Sequence, residues 1–312
     1  MLFAVHISDN VLAPPWLLAG FALTAILLWL GSRKLSDDEI PRIAILTAAF
    51  FVSSSIHIRV GPTSIHLLLT GLVGVVIGMR APLAIFTGLL LQAFLIGHGG
   101  YYVLGVNACI MTCPALLALA LFRFLHQISW LKTSIGRTLI VGIGGYVWFM
   151  SAAYGVTLLL NSSFTSLESI AIELANAQLI DPWIVGSGIV FASLAAVLER
   201  QLESSPEFPI GFLVGELSVL ATVALNCAVL AIAGENLPSL MIMGLVIAHL
   251  PFAVVEGVIL GFVVGFLARV KPEMLGIAPQ PETPAKDAPS FTNALASEAS
   301  PIDASPHKLM ST

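Results

Sequence analysis

The sequence predicts an all-α fold: a polytopic membrane helical bundle of about nine spans, with the N-terminus outside and the C-terminus inside. Three observations predict it. Hydrophobic residues fill 57% of the 312 positions and charged residues only 10%, where a soluble domain carries about 25% charge. The mean hydropathy is +0.97. Finally, with the N-terminus outside and nine crossings, twelve of the 13 basic residues fall on one side, a strong positive-inside signal.

The apolar segments run at about 15–31, 41–56, 65–79, 82–97, 106–125, 138–160, 183–198, 209–233 and 239–268. About 20 residues cross a hydrocarbon core of about 30 Å, so a few of these are short. Gly and Pro punctuate their ends, as at Pro14, Pro15, Pro41, Gly61, Pro82, Gly99, Gly100, Pro182, Pro209 and Pro238, where turns and helix starts favour them. In this arrangement Arg33, Lys34, Arg42, Arg80, Arg123, Lys132, Arg137, Arg200, Arg269, Lys271, Lys286 and Lys308 lie inside and only Arg59 lies outside. The loop 161–181 carries Glu168, Glu173 and Asp181 without a basic residue and reads as a solvated loop or an outward acidic cap. From Gly276 the chain is rich in Pro, Ala and Ser without apolar periodicity, and 276–312 is expected to be a disordered cytoplasmic tail.

Several classes fall away. No basic footprint for nucleic acid is present. The three cysteines lie inside apolar segments and form no disulfide framework. The opening MLFAVHISDNVLAPPW has no cationic region followed by an apolar core and a small-residue cleavage site, so it does not read as a cleavable signal. No GxxxxGK[ST] pattern occurs; ATP, if used, would be hydrolysed by another subunit.

The histidines carry the chemistry. His6, His57, His66 and His98 all fall at the outer face, whereas His126 is inside, His307 is in the tail and His249 is part-way along the last segment. Four imidazoles on one membrane face suggest capture of a transition metal. His66 closes Gly61-Pro62-Thr63-Ser64-Ile65-His66 and is expected in the first turn of a helix, with Ser64 as its N-cap. There the dipole disfavours protonation and keeps the imidazole neutral, as a metal requires. Asp9-Asn10 can form a turn, because Asn tolerates left-handed backbone. His98 and His57 can line the entry path, support the ligands or be plain loop residues. The Asn107 amide can hold either His66 or the N-terminal arm. Cys109 and Cys113 share a helix face but read as small hydrophobes. Glu216 and Glu256 are costly in hydrocarbon and should face protein. Glu256 and His249, seven residues apart, share a face and read as a helix lock or a docking point. Pro251 would kink the last helix.

Five pieces together resemble the CbiM/NikM family, the membrane-embedded substrate-capture subunits of energy-coupling-factor cobalt and nickel transporters. They are His6-Ile7-Ser8-Asp9-Asn10-Val11-Leu12; Gly61-Pro62-Thr63-Ser64-Ile65-His66-Leu67; His98-Gly99-Gly100 with Leu104-Gly105-Val106-Asn107 and Met111; Pro114-Ala115; and His249-Leu250-Pro251 with Glu256-Gly257 and Arg269 to Met274. The match covers about 1–126 and 209–275. The region 138–205 matches poorly and is longer than expected by roughly one helical hairpin, which reads as an insertion in a transmembrane capture domain over 1–275.

The resemblance implies an importer subunit of the inner (plasma) membrane that takes Ni²⁺ or Co²⁺ as transported substrate and has no prosthetic group. Its implied partners are a transmembrane coupling subunit, cytoplasmic ATPase subunits and, as a further candidate, a small accessory membrane subunit. In the family the chain begins Met-His, and the metal is held by the terminal amine, the amide nitrogen and imidazole of that histidine, and the histidine matched here by His66. Four nitrogens in a plane suit Ni²⁺ and related ions. Here five residues precede His6, so the Met1 amine cannot share a chelate ring with its amide. Either the site is built differently, or Val5 is the true initiator and supplies the backbone amine. Ser8 and Asn10 stand where the family usually has Pro and Gly. The competing reading is a self-contained secondary metal transporter or, less well supported, an intramembrane metalloenzyme. A carrier should show several mid-span carboxylates and paired repeats, which are not evident. An enzyme would need a general base by the metal, and Asp9 is the only acid near His6.

Overall fold

The computed structural model describes residues 6–60, 63–160, 181–201, 205–233 and 239–277. Among them are nine α-helices. They are α1 (Pro14–Ser32), α2 (Ile40–Ser55), α3 (Thr70–Ile77), α4 (Ala81–Ile96), α5 (Leu104–Gln127), α6 (Ser134–Leu160), α7 (Pro182–Gln201), α8 (Phe208–Ala233) and α9 (Ser239–Val270). Each lies on one of the nine apolar segments. Large apolar side chains stay outside the packed interior on many of them; Leu18 and Phe94 are each 72% exposed. Such an outer surface belongs in lipid.

Among the described residues, seven helical stretches are long and apolar enough to cross a membrane, the run Thr70–Ile96 being one of them. That run is not straight. Twenty-seven residues of helix would extend about 40 Å, yet the His66 and His98 rings just outside its two ends are 5.8 Å apart. The reversal comes at Gly78, whose φ of +58° is open to glycine and strained for other residues. α3 and α4 therefore form a hairpin. With α2 only 16 residues long, the nine expected crossings correspond here to seven long stretches, a fold-back within one, and one short helix.

α5 runs through the interior and packs on α1, α3, α4 and α8. α8 and α9 lie together along most of their length. A Cβ on Gly211 would stand 2.9 Å from the Gly261 Cα, and one on Gly215 would stand 2.7 Å from the Gly257 Cα; the two backbones touch, as small residues permit in membranes. α6 pairs with α7 and also touches α9.

The two ends of the bundle differ chemically. At the end away from the histidines, a cavity of about 600 Å³ is lined by Arg33, Lys34, Arg42, Arg80 and Arg123, with Glu39 and Glu273. The Arg80 guanidinium donates to Gly31 O, Arg33 O, Lys34 O and both Glu39 carboxylate oxygens, tying α1, α2 and the α3–α4 turn together. The hydrogen bond from Arg80 holds the Glu39 carboxyl down at about 2. Five basic residues expected on one side thus share one end. Gly276 and Ile277 close the turn after Pro272–Leu275; the rest of the expected tail, and the loop 161–180, lie outside the described residues.

Candidate metal centre

Four histidines meet at the other end. The His6 and His66 rings are stacked, with centroids 4.9 Å apart and planes within 13°. His98 stands edge-on to His6 at 4.8 Å, and His57 lies 4.1 Å from His98. Ring nitrogens of His6, His66 and His98 all fall within 4.8 Å of one another. His6 and His66 are buried, and both nitrogens of His6 and Nε2 of His66 have no hydrogen-bond partner. Buried polar atoms normally find partners, so three orphaned imidazole nitrogens gathered at one end of the bundle mark a place for a cation. Burial, reinforced by the neighbouring histidines, pushes the His6 pKa well below its usual value. Burial also takes His66 down to about 3 and His98 to about 4. All three are neutral near pH 7, the form that binds metal.

Each ring is delivered by a separate device. His6 rides on an N-terminal arm gripped by Asn107: the Ile7 N–H donates to Asn107 Oδ1, and Asn107 Nδ2 donates to Ile7 O, both at 2.9 Å. Of the two roles open to Asn107, it takes the arm. The arm turns at Asn10, which has φ +68°, and buries Ile7, Val11 and Leu12. Asp9 accepts from the N–H groups of Tyr101, Tyr102 and Val103 at 3.0–3.2 Å. A carboxylate at the start of α5 both caps it and answers its dipole. Asp9 is therefore spent on backbone, which removes it as a catalytic base.

His66 corrects an expectation. It is not in a helix, and Ser64 is not an N-cap: Thr63–Ile65 is a strand paired antiparallel with Ile58–Val60, Ser64 opposite Arg59. α3 begins only at Thr70, after Leu69 at φ +49°. The cause is Glu256, whose carboxylate accepts the N–H groups of both Leu68 and Leu69. That grip holds residues 66–69 out of the helix and supplies acceptors for the N–H groups just before α3. Glu256 is thus the helix lock the sequence suggested, although its partner, 187 residues away, could not be read there. His66 Nδ1–H donates to Leu67 O at 3.0 Å, which leaves Nε2 as the free donor atom.

His249 donates from Nδ1 to Leu245 O, and its Nε2 is buried without a partner. Cys109 contacts Thr24 Oγ1 and Gly20 O, while Cys113 is exposed, so neither joins the centre. Val5 lies outside the described residues, as does the placement of any backbone amine there.

A family model described as "Cobalt uptake substrate-specific transmembrane region" matches residues 6–200 and 183–274. The chain belongs to this family. It is a multi-pass membrane protein of a cobalt and nickel uptake family. A Haemophilus influenzae protein described as "Putative metal transport protein" is 41% identical over 143 residues, covering 46% of this chain and 68% of that one. The "Fused nickel transport protein NikMN" of Rhodobacter capsulatus is 28% identical over 155 residues, 48% of this chain and 45% of that one. The "Cobalt transport protein CbiM" of Geobacter sulfurreducens is 32% identical over 117 residues, 35% of this chain and 34% of that one. The chain spans less than half the length of the latter two.

Proposed function

We propose that this chain is the substrate-specific subunit of an ATP-driven importer, capturing one divalent ion, Co²⁺ or Ni²⁺, at the outer face with His6 and His66 as ligands. The observation that carries this reading is the set of buried, neutral, unpartnered imidazole nitrogens at one end of the bundle. The proposed orientation, N-terminus out and C-terminus in across nine crossings, puts that centre outside and the basic cavity inside. It is supported by Arg33, Lys34, Arg42, Arg80 and Arg123 gathering at the far end. The ion would be released inward when a transmembrane coupling subunit and cytoplasmic ATPases rearrange the bundle.

Uptake of radioactive Co²⁺ or Ni²⁺ by cells expressing this chain with and without the ATPase and coupling subunits tests the assignment. Dependence on them is the expected result. Robust uptake by this chain alone, driven by an ion gradient, would establish the secondary transporter instead. Metal content of purified wild type, His6→Ala and His66→Ala tests the site; undiminished metal in both variants rules out the ligand assignment.

A further inference from the structure

The end of the bundle away from the histidines holds a second polar feature, one that metal capture does not use. Its cavity of about 600 Å³ has the size of a small-molecule pocket, about 300–1,000 Å³. Arg80 and Glu39 cancel each other there, because the guanidinium is engaged by Gly31 O, Arg33 O, Lys34 O and the Glu39 carboxylate. That leaves Arg33, Lys34, Arg42 and Arg123 lining the cavity with a single further carboxylate, Glu273. Among the described residues, the side chains of Lys34, Arg42 and Arg123 have no hydrogen-bond or ion-pair partner. Arg33 lies over the Trp29 ring at 4.8 Å. Cations gathered without counter-charge repel one another and raise the local concentration of anions.

We infer that this cavity binds a phosphate group, supplied by the headgroup of an anionic phospholipid in the leaflet at that end, with Arg33, Arg42 and Arg123 as its ligands. The three guanidinium groups arrive from different places: Arg33 from the residue after α1, Arg42 from the first turn of α2, and Arg123 from the last turns of α5. The Arg123 guanidinium reaches the α3–α4 turn, 4.0 Å from where a Cβ on Gly78 would stand. A carboxylate offers two oxygens in one plane, whereas the oxygens of a phosphate point in tetrahedral directions and can accept from several forks at once. The walls favour a lipid as the source. Leu30, Ile43, Ile77 and Met79 separate the cations, and on the adjoining surface Trp29 is 58% and Ile40 49% exposed. A Trp beside basic residues at a helix end marks the membrane interface, where basic pockets between helices take phospholipid headgroups. Acyl chains would cover the apolar surface that a soluble phosphate leaves bare.

The rim of the cavity is set before any ligand arrives. Lys34 has φ +52°, left-handed backbone that is uncommon for lysine and persists only where its surroundings hold it. Arg80 supplies the hold by taking Arg33 O and Lys34 O, so it is a positioning residue for the rim and not itself a ligand. On another side the turn Pro272–Leu275 is fixed by the buried Leu275. A phosphate bound among Arg33, Arg42 and Arg123 would join the ends of α1, α2 and α5, adding α5 to the elements that Arg80 already ties together.

The experiment uses the full chain in phosphatidylcholine nanodiscs, with spin-labelled lipids whose motionally restricted fraction reads association with the protein. Wild type should favour phosphatidylglycerol over phosphatidylcholine by about tenfold or more; equal association overturns the inference without any variant. Spin-labelled stearate, a carboxylate, should associate more weakly than phosphatidylglycerol, and equal association would overturn the phosphate assignment. Millimolar inorganic phosphate should leave the lipid in place; displacement would make a soluble phosphate compound the occupant and overturn the lipid source. Arg42→Gln and Arg123→Gln should each weaken phosphatidylglycerol association about fivefold, the weight of one cation at an anionic headgroup. Arg269→Gln removes a positive charge that does not line the cavity and should match wild type; a loss as large as that of Arg42→Gln would reduce the effect to net charge and overturn the site. The Co²⁺ content of the Arg42 and Arg123 variants should equal that of wild type, which shows them folded and keeps this test separate from that of the metal centre.

Discussion

Replacing Asn107 with alanine tests how the metal centre is assembled. Burying Ile7, Val11 and Leu12 stabilises the docked arm by roughly 5–9 kcal/mol at about 1.5–3 kcal/mol each. Ordering the backbone of residues 6–12 costs roughly 7–14 kcal/mol at about 1–2 kcal/mol per residue. These nearly cancel, so the polar grips decide whether His6 is present at the site. Asn107→Ala removes both bonds to Ile7 and leaves a buried N–H and C=O without partners. At about 1–3 kcal/mol for each orphaned group, the loss is about 3 kcal/mol. If it is expressed fully as undocking, apparent metal affinity falls by about a hundredfold, since 1.4 kcal/mol is tenfold. Isothermal titration with Co²⁺, beside thermal unfolding of the metal-free protein, reads this directly. The expected result is the affinity loss with little change in unfolding temperature, because the burial and the ordering of the arm nearly cancel. If Asn107→Ala binds within about twofold of wild type while His6→Ala does not, docking of the arm does not depend on Asn107 and the reasoning fails.

Other consequences can be measured alongside it. Glu256→Gln keeps one acceptor but turns an amide toward an N–H of Leu68 or Leu69; leaving that buried N–H without a partner should cost about 1–3 kcal/mol, lower the unfolding temperature and weaken Co²⁺ binding. Gly215→Ala drives a Cβ against the Gly257 Cα and Glu256 O and should cost about 1–3 kcal/mol in unfolding assays while leaving metal stoichiometry unchanged. The metal-free protein should lose stability as the pH drops. An unfolded histidine takes up a proton near 6.5, but buried His66 does so only at about 3. Between those values the unfolded state binds more protons, so its contribution falls with decreasing pH, by about 1.4 kcal/mol per unit. Thermal scans of wild type and His66→Gln should show the smaller slope in the variant; equal slopes would contradict the assignment.

The helices were legible because lipid demands long apolar runs, and all nine segments became helices. Asn10 at a positive φ and Asn107 near the arm were also readable, since amide chemistry and spacing point to few alternatives. His66 was misplaced by local reasoning. Gly-Pro-Thr-Ser before an apolar run resembles a helix start, but a carboxylate on α9 competes for the next backbone N–H groups, and Leu69, a residue with no preference for left-handed backbone, turns there. Asp9 was read as part of a turn and weighed as a general base, because its three N–H donors lie more than ninety positions away. The bond between His57 and His98 spans 41 residues, and only the return of α4 beside α3 creates it. The break at Arg80-Ala81-Pro82 between the segments 65–79 and 82–97 was the visible trace of that return.

The contact between α8 and α9 sets a limit on everything above. Where backbone lies on backbone there is no cushion of side-chain rotamers to absorb a shift, so the two helices behave as one solid plate with Glu256 set into its face. Leu68 and Leu69 are bolted to that plate. The segment that carries His66 therefore keeps station with the plate, whereas the arm that carries His6 is tied to Asn107 of α5 and has a separate anchor.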